Sequence, residues 1–270
     1  MQWLLQDFED TRQLGEALTR RGILHSWHKV VPFLGDLEPE PAIEDADNVI
    51  LFGAYTMRRY AEARELRPGV FIIRPFAHEP AWRPYLLNGP NARFLTLRDV
   101  PGQLSADDRA WFVRPVSDAK ELPGQVMSGA EIVALSERVC ALEPGELPEG
   151  SLRHDTRLML GPPARILREW RLWIVEHRVV THSLYKDGRR VTYRPDIDAD
   201  ARAFAERLIA LNPRYAPACV LDICRTEAGL RRLETNCLNA AGFYAADLDR
   251  LVGAIEGMAR PRASPISPAP

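Results

Sequence analysis

Lysine is nearly absent from this chain of 270 residues. Of its 35 basic residues only Lys29, Lys120 and Lys186 are lysines. The rest are arginines, a compositional bias that singles out each lysine that remains. Cysteine is scarce as well. Cys140, Cys219, Cys224 and Cys237 form no C-x-x-C pair, which argues against a zinc ribbon and against a disulfide framework. No run of 18 apolar residues occurs, so no transmembrane helix is expected. The segment Met1-Gln-Trp-Leu-Leu-Gln-Asp7 reaches a charge too soon for a secretory signal, and a cytoplasmic location with reduced thiols is the expectation. Net charge is −2, so no global basic field draws the chain to nucleic acid. The sequence contains no G-x-G-x-x-G, no Walker A loop, no G-x-S-x-G elbow and no internal repeat; dinucleotide and serine-hydrolase sites are therefore unsupported. What is present is ordinary globular usage, 46% hydrophobic and 27% charged, which excludes a disordered or fibrous chain.

The first hundred residues alternate strand and helix. Trp3–Leu5 is a short apolar run, and Asp10–Arg21 carries Leu14, Ala17 and Leu18 on one helical stripe that Gly22 ends. Ile23–Phe33 and Asn48–Phe52 read as strands, Tyr55–Leu66 as a helix, and Val70–Ile73 as another buried strand. This alternation predicts a small parallel α/β sheet. Residues 78–110 are rich in Pro, Asn and Arg and read as a connection. Beyond them come a strand at Trp111–Val116, a helix at Ser128–Cys140 and a loop at Glu143–Gly150. Strands follow at 157–160, 165–175 and 178–184, then a helix at Ala199–Leu211. Ala218–Cys224 and Leu230–Asn236 form strands joined through Gly229, and Asp247–Met258 is a closing helix. The proline-rich tail 260–270 is expected to be disordered.

Three regions carry chemistry. In the first, Asp222 interrupts an apolar strand, and Glu234 and Asn236 share one face of the next strand because side chains alternate. A hairpin at Gly229 can bring these hard oxygen ligands together, which suits Mg²⁺; the plain alternative is a solvated sheet face carrying Arg232, Glu234 and Asn236. In the second, Glu169 and Arg171 alternate on one face of a tryptophan-rich strand. There an arginine can grip phosphate bidentately, or can form an ordinary cross-strand ion pair on an exposed face. In the third, a strand ends on Arg114-Pro115 and a polar loop then offers Lys120 before Gly124, which is either one way to hold a polyphosphate or an ordinary strand and turn.

The order of these regions resembles the ATP-grasp superfamily, over roughly residues 105–256, and in detail a compact, arginine-using clade of it. The resemblance implies an ATP-grasp fold preceded by a small N-terminal α/β domain. The expected domains are 1–104 for the α/β domain, 105–259 for the ATP-grasp part and 260–270 for the tail. It implies ATP and Mg²⁺ as cofactors, and a carboxylate–amine ligase working through an acylphosphate. Arg114 stands where the family has a strand-ending lysine that touches the α-phosphate. Lys120 falls in the loop over the phosphates, and Leu158, Met159 and Leu160 near the adenine hinge. Glu169 and Arg171 match the acidic-x-Arg strand, Arg171 facing the γ-phosphate or acylphosphate. Lys186 follows a strand with a basic phosphate contact. Asp222, Glu234 and Asn236 match the metal-binding Asp and Glu-x-Asn. The chain departs from the family in having Arg114 for lysine, a glycine-poor phosphate loop, and Cys-Leu-Asn-Ala-Ala-Gly242 after Asn236 instead of Pro-Gly. Asn239, Gly242 and Tyr244 either line the substrate side or pack. The resemblance leaves two other readings open, a phosphotransferase on the same fold and a non-catalytic nucleotide-binding or interaction module. Expected partners are ATP with a carboxylate and an amine, and neither nucleic acid nor a membrane.

Other candidates are read as structural. His25 and His28 lack a third ligand, Cys237 lacks a positioned histidine, and the tryptophans belong to the core. Arg189-Arg190 and Arg231-Arg232 are read as solvated faces.

Overall fold

The structure is a computed structural model that describes residues 1–32, 34–54, 56–75, 79–88, 91–117, 121–148 and 150–258. Along the chain the elements are β1 (Gln2–Gln6), α1 (Glu9–Arg20), β2 (His25–Val30), β3 (Leu37–Glu38), β4 (Val49–Phe52), α2 (Met57–Ala63) and β5 (Pro68–Gly69). Next come β6 (Arg93–Thr96), α3 (Val100–Gln103), β7 (Ala110–Pro115), β8 (Gln125–Ser128), α4 (Gly129–Cys140) and β9 (Arg157–Gly161). The remainder is β10 (Ile166–Val175), β11 (Arg178–Asp187), β12 (Arg190–Arg194), α5 (Ala199–Leu211), β13 (Ala218–Thr226), β14 (Gly229–Asn236) and α6 (Leu248–Met258).

The chain divides into two compact units that interleave in sequence. One holds Met1–Ile73, Trp170–Asp222 and Thr235–Pro270, the other Arg74–Glu169 and Ile223–Glu234. These are spatial groupings, whereas the sequence division at residue 104 is a contiguous one.

In the first unit a sheet of order β3-β2-β1-β4-β5 has β1 parallel to β2 and β4, and β4 parallel to β5. All four residues of β4 are buried, as a strand covered on both faces requires. Alternation sends Trp3, Leu5, Ile50 and Phe52 into one core, with Leu14 and Leu18 of α1 and with Trp173, Val220, Phe243, Leu251 and Ile255 from the later chain. Leu4, Val49 and Leu51 point the other way, onto Met57, Tyr60 and Ala61 of α2. Each such side chain, fully buried, contributes roughly 1.5–3 kcal/mol. Helix α1 lies close to β2 because Gly15 has no side chain: a Cβ there would lie 2.4 Å from the Trp27 ring. Helix α5 buries Ala201, Phe204, Ala205, Leu208 and Ile209, one face at helical spacing.

In the second unit, order β6-β9-β7-β8, all neighbouring strands pair antiparallel. Leu95, Trp111, Val113, Leu158 and Leu160 pack with Ile132 and Val133 of α4. Ser128 caps α4: its hydroxyl accepts from the Glu131 N–H, and the Glu131 carboxylate accepts from the Ser128 N–H. Such a cap is worth about 1 kcal/mol.

A third sheet has the order β12-β11-β10-β13-β14. Its β13–β14 hairpin turns through Gly229 at φ +97°, a left-handed conformation that favours glycine. The Thr226 hydroxyl closes the turn by donating to the Gly229 carbonyl at 2.9 Å.

Two expectations about elements are corrected. Val70–Ile73 is not a strand, since β5 is confined to Pro68–Gly69. The Phe71 N–H donates instead to the Asn239 side chain at 2.8 Å. Residues 78–110 are more than a connection. They include a 3-10 turn at Pro80–Tyr85, strand β6 and helix α3. The tail 260–270 lies outside the described residues.

Candidate functional site

The first unit places Arg171 of β10 against Asp222 of β13. The Arg171 Nε donates to Asp222 Oδ1 at 2.9 Å and its Nη2 to Oδ2 at 2.7 Å. Asn236, at the end of β14, donates its Nδ2 to Asp222 Oδ2 at 3.2 Å. The Arg171 and Asp222 side chains are 10% and 1% exposed. A charge so buried persists only when paired and hydrogen-bonded, and here the guanidinium fork matches both carboxylate oxygens. Burial works against the Arg171 charge, but the Asp222 carboxylate outweighs it and the guanidinium pKa is raised. The exposed ion pair and the solvated face are therefore both overturned for these residues. Trp173 and Val220, on the same face as the pair by strand alternation, are buried as well.

In the second unit Arg114, at the end of β7, donates its Nη1 to Glu234 Oε2 of β14 at 2.6 Å. This pair is more open, with side chains 16% and 28% exposed. On the neighbouring strand β9, Met159 pairs in register with Arg114. Leu158 and Leu160 turn into the core under α4, while Met159 packs with Leu86 and Val116. Glu169 is buried. So is Arg232, which corrects the expectation of a solvated face: its guanidinium lies 4.6 Å from the Trp82 ring centroid, and its carbonyl accepts from the Leu87 N–H at 2.9 Å. Arg189 and Arg190 are exposed as expected. Lys120 lies outside the described residues. Lys186 is half-buried on β11, where pairing with β12 shifts register.

Asp222, Glu234 and Asn236 have the chemistry that Mg²⁺ takes, two carboxylates and an amide oxygen. Among the described residues no group of three or more His, Cys, Asp or Glu is arranged to hold a metal ion, in keeping with a set that has only two acids. Each acid carries a guanidinium: Arg171 on Asp222 and Arg114 on Glu234. By donor chemistry alone these residues suit a dication, which would have to compete with the arginines.

The loop after Asn236 divides between packing and the site. Asn239 is structural. Its Oδ1 accepts from the Phe71 N–H, its Nδ2 donates to the Leu51 carbonyl at 2.7 Å, and its own carbonyl accepts from the Gly53 N–H at 2.9 Å. Cys237 is buried beside the Phe71 carbonyl. The Gly242 carbonyl faces Arg171 Nη1 at 3.4 Å, and the Arg171 guanidinium lies 4.9 Å from the Tyr244 ring centroid. Tyr185 and Tyr193, which sequence reasoning missed, stack on Tyr244; their signal is an aromatic residue on each arm of a hairpin. His28 is structural, bonded to the Pro39 carbonyl and the Ser26 hydroxyl. No helix among the described residues is long and apolar enough to cross a membrane.

Among curated proteins no relative matches. Among solved structures the chain resembles D-cycloserine synthetase DcsG at 17% identity and TM-score 0.60, covering 96% of this chain and 99% of that one. It resembles the ATP-grasp ligase PsnB, complexed with precursor peptide PsnA2 and AMPPNP, at 13% identity and TM-score 0.53, covering 96% and 97%. It also resembles D-alanine–D-alanine ligase from Bacillus anthracis, complexed with ATP, at 9% identity and TM-score 0.54, covering 94% and 95%. At these identities the likeness shows a shared fold. A family model for the ATP-grasp domain, family 3 of one clade of that superfamily, matches residues 5–255, and the chain belongs to that ATP-grasp family.

Proposed function

We propose that the protein is an ATP-dependent carboxylate–amine ligase. The observation that carries this reading is the buried Arg171–Asp222–Asn236 constellation in a chain of the ATP-grasp family. The neighbouring folds named above, two ligases and a synthetase, support the same class. In the reaction a substrate carboxylate oxygen attacks the γ-phosphorus of ATP and ADP leaves, giving an acylphosphate. The amine nitrogen then attacks the acyl carbon, loses a proton and expels phosphate. Mg²⁺, held by Asp222, Glu234 and Asn236, would supply charge neutralisation for the phosphates.

The protein's own part is positioning. Arg171, locked by Asp222, presents a fixed positive group whose geometry costs no reorganisation when charge develops. Arg114 and Lys120 orient the phosphates, and Lys186 adds a basic contact. Glu169 is positioned one alternation from Arg171 on the same face of β10. Met159, on the face of β9 away from the core that holds Leu158 and Leu160, is the residue of that strand placed for adenine. Losing one phosphate-directed donor should raise the barrier by about 2.7–4 kcal/mol, as for oxyanion donors.

Glu234→Gln keeps the shape and removes a charge. Calorimetry of Mg-ATP binding should show weakened, metal-insensitive binding, with circular dichroism reporting an intact fold. Mg-ATP binding unchanged in this variant would remove Glu234 from the metal set. Release of a stable phosphorylated acceptor with no amide would replace the ligase reading by a phosphotransferase.

A further inference from the structure

The tyrosine stack reaches beyond the residues assigned so far. Tyr244 lies 5.2 Å from Tyr185 of β11, at an interplanar angle of 24°, and 4.8 Å from Tyr193 of β12, at 17°. Tyr244 holds φ +53°, a left-handed conformation that costs a bulky residue on the order of 1–3 kcal/mol and is kept where the surroundings enforce it. The Arg171 guanidinium, 4.9 Å from Tyr244 and 5.8 Å from Tyr185, joins the stack to the buried ion pair. Tyr193 is 55% exposed, and Val191, two residues earlier on β12, is 69% exposed. A ring stacked on one side and still largely exposed is a surface that a further planar ring completes.

The local charge selects among planar ligands. Arg194 is matched by Asp187 and Asp196, at 3.5 Å and 3.3 Å. Arg189 and Arg190, exposed on the same hairpin, leave it positive, which disfavours a cationic amine and favours an anion. The geometry points to an aromatic carboxylate as the acid substrate, its ring on Tyr193 and its charge toward the exposed Arg189 and Arg190 of the hairpin. This rests on the ligase reading in one respect, that the carboxylate bound here is the one activated.

The test is binding to the full chain in the presence of Mg-ADP. Saturation-transfer difference NMR with phenylacetate should label the ring protons, and cyclohexylacetate, equal in charge and close in size but without a π-face, should be labelled more weakly. Tyr193→Ala should weaken phenylacetate by roughly two- to tenfold, the range one aromatic pair supplies, whereas Tyr193→Phe should bind like the parent. Equal labelling of both acids, indifference to Tyr193→Ala, or no labelling of phenylacetate overturns the proposal. Mg-ATP calorimetry on the same sample separates the two readings. Nucleotide binding without phenylacetate binding removes the platform and leaves the ligase, while loss of both removes the ligase as well.

Discussion

Arg171 and Arg114 each close on a carboxylate, yet the two pairs obey different physics. Arg171 meets Asp222 through two hydrogen bonds with almost no water around the carboxylate. Arg114 meets Glu234 through one hydrogen bond, with both side chains partly wet. The first pair is fixed by what surrounds it: neither member can ionise alone in that environment, so each holds the other in place. The second is screened and open to exchange. Under the ligase reading a fixed positive group and an exchangeable carboxylate have different tasks; β10 with β13 supplies the first and β7 with β14 the second.

The largest effect expected from breaking this contrast is Asp222→Asn, which strands the Arg171 charge. It should cost about 3–5 kcal/mol in urea unfolding. Replacing both partners at once, Arg171→Met with Asp222→Leu, should recover that loss while abolishing turnover, because an apolar pair needs no counter-charge. Arg171→Lys keeps the charge but not the planar fork; it should fold, and should lower kcat by more than it raises KM for ATP. Arg114→Ala is expected to cost no more than about 1 kcal/mol of stability, with its main effect on Mg-ATP binding. A stability loss there as large as for Asp222→Asn would erase the distinction between the pairs.

The smallest effect sharpens the comparison by isolating pH. Arg171, its charge held by Asp222, does not titrate in the accessible range. His182 does: burial, then the charges of Arg202 and Arg250, lower its pKa. The unfolded chain therefore binds the proton more readily, and stability present above the ordinary histidine range falls as pH drops below about 6.5. Tm should decline between pH 7 and pH 5, and His182→Gln should flatten that slope without touching either ion pair.

Much of this is legible in the sequence where a pattern is local. Helix α5 announces itself because Ala201, Phe204, Ala205 and Leu208 repeat at helical spacing. Asp222 stands out as a lone acid in an apolar strand. Other features depend on distant chain. Val70–Ile73 has a strand's composition, but the partner of the Phe71 N–H is a side chain 168 residues away. Alternation places Arg232 on a face without saying what covers that face, and Trp82 does so. Glu169-x-Arg171 and Asp222 are each recognisable, while the bond joining Arg171 to Asp222 spans 51 residues and has no signature in spacing.

The first core carries a consequence for synthesis. Phe243, Leu251 and Ile255, which cover Trp3, Leu5 and Phe52, are translated long after them. The Trp3 indole N–H waits equally long for Glu256, its acceptor at 2.6 Å. At about 5–20 residues per second the interval is roughly 10–40 s. Through that time the nascent N-terminal sheet exposes one apolar face, so this core closes only once α6 has emerged, and ribosome-bound fragments ending before α6 should be protease-sensitive and chaperone-bound.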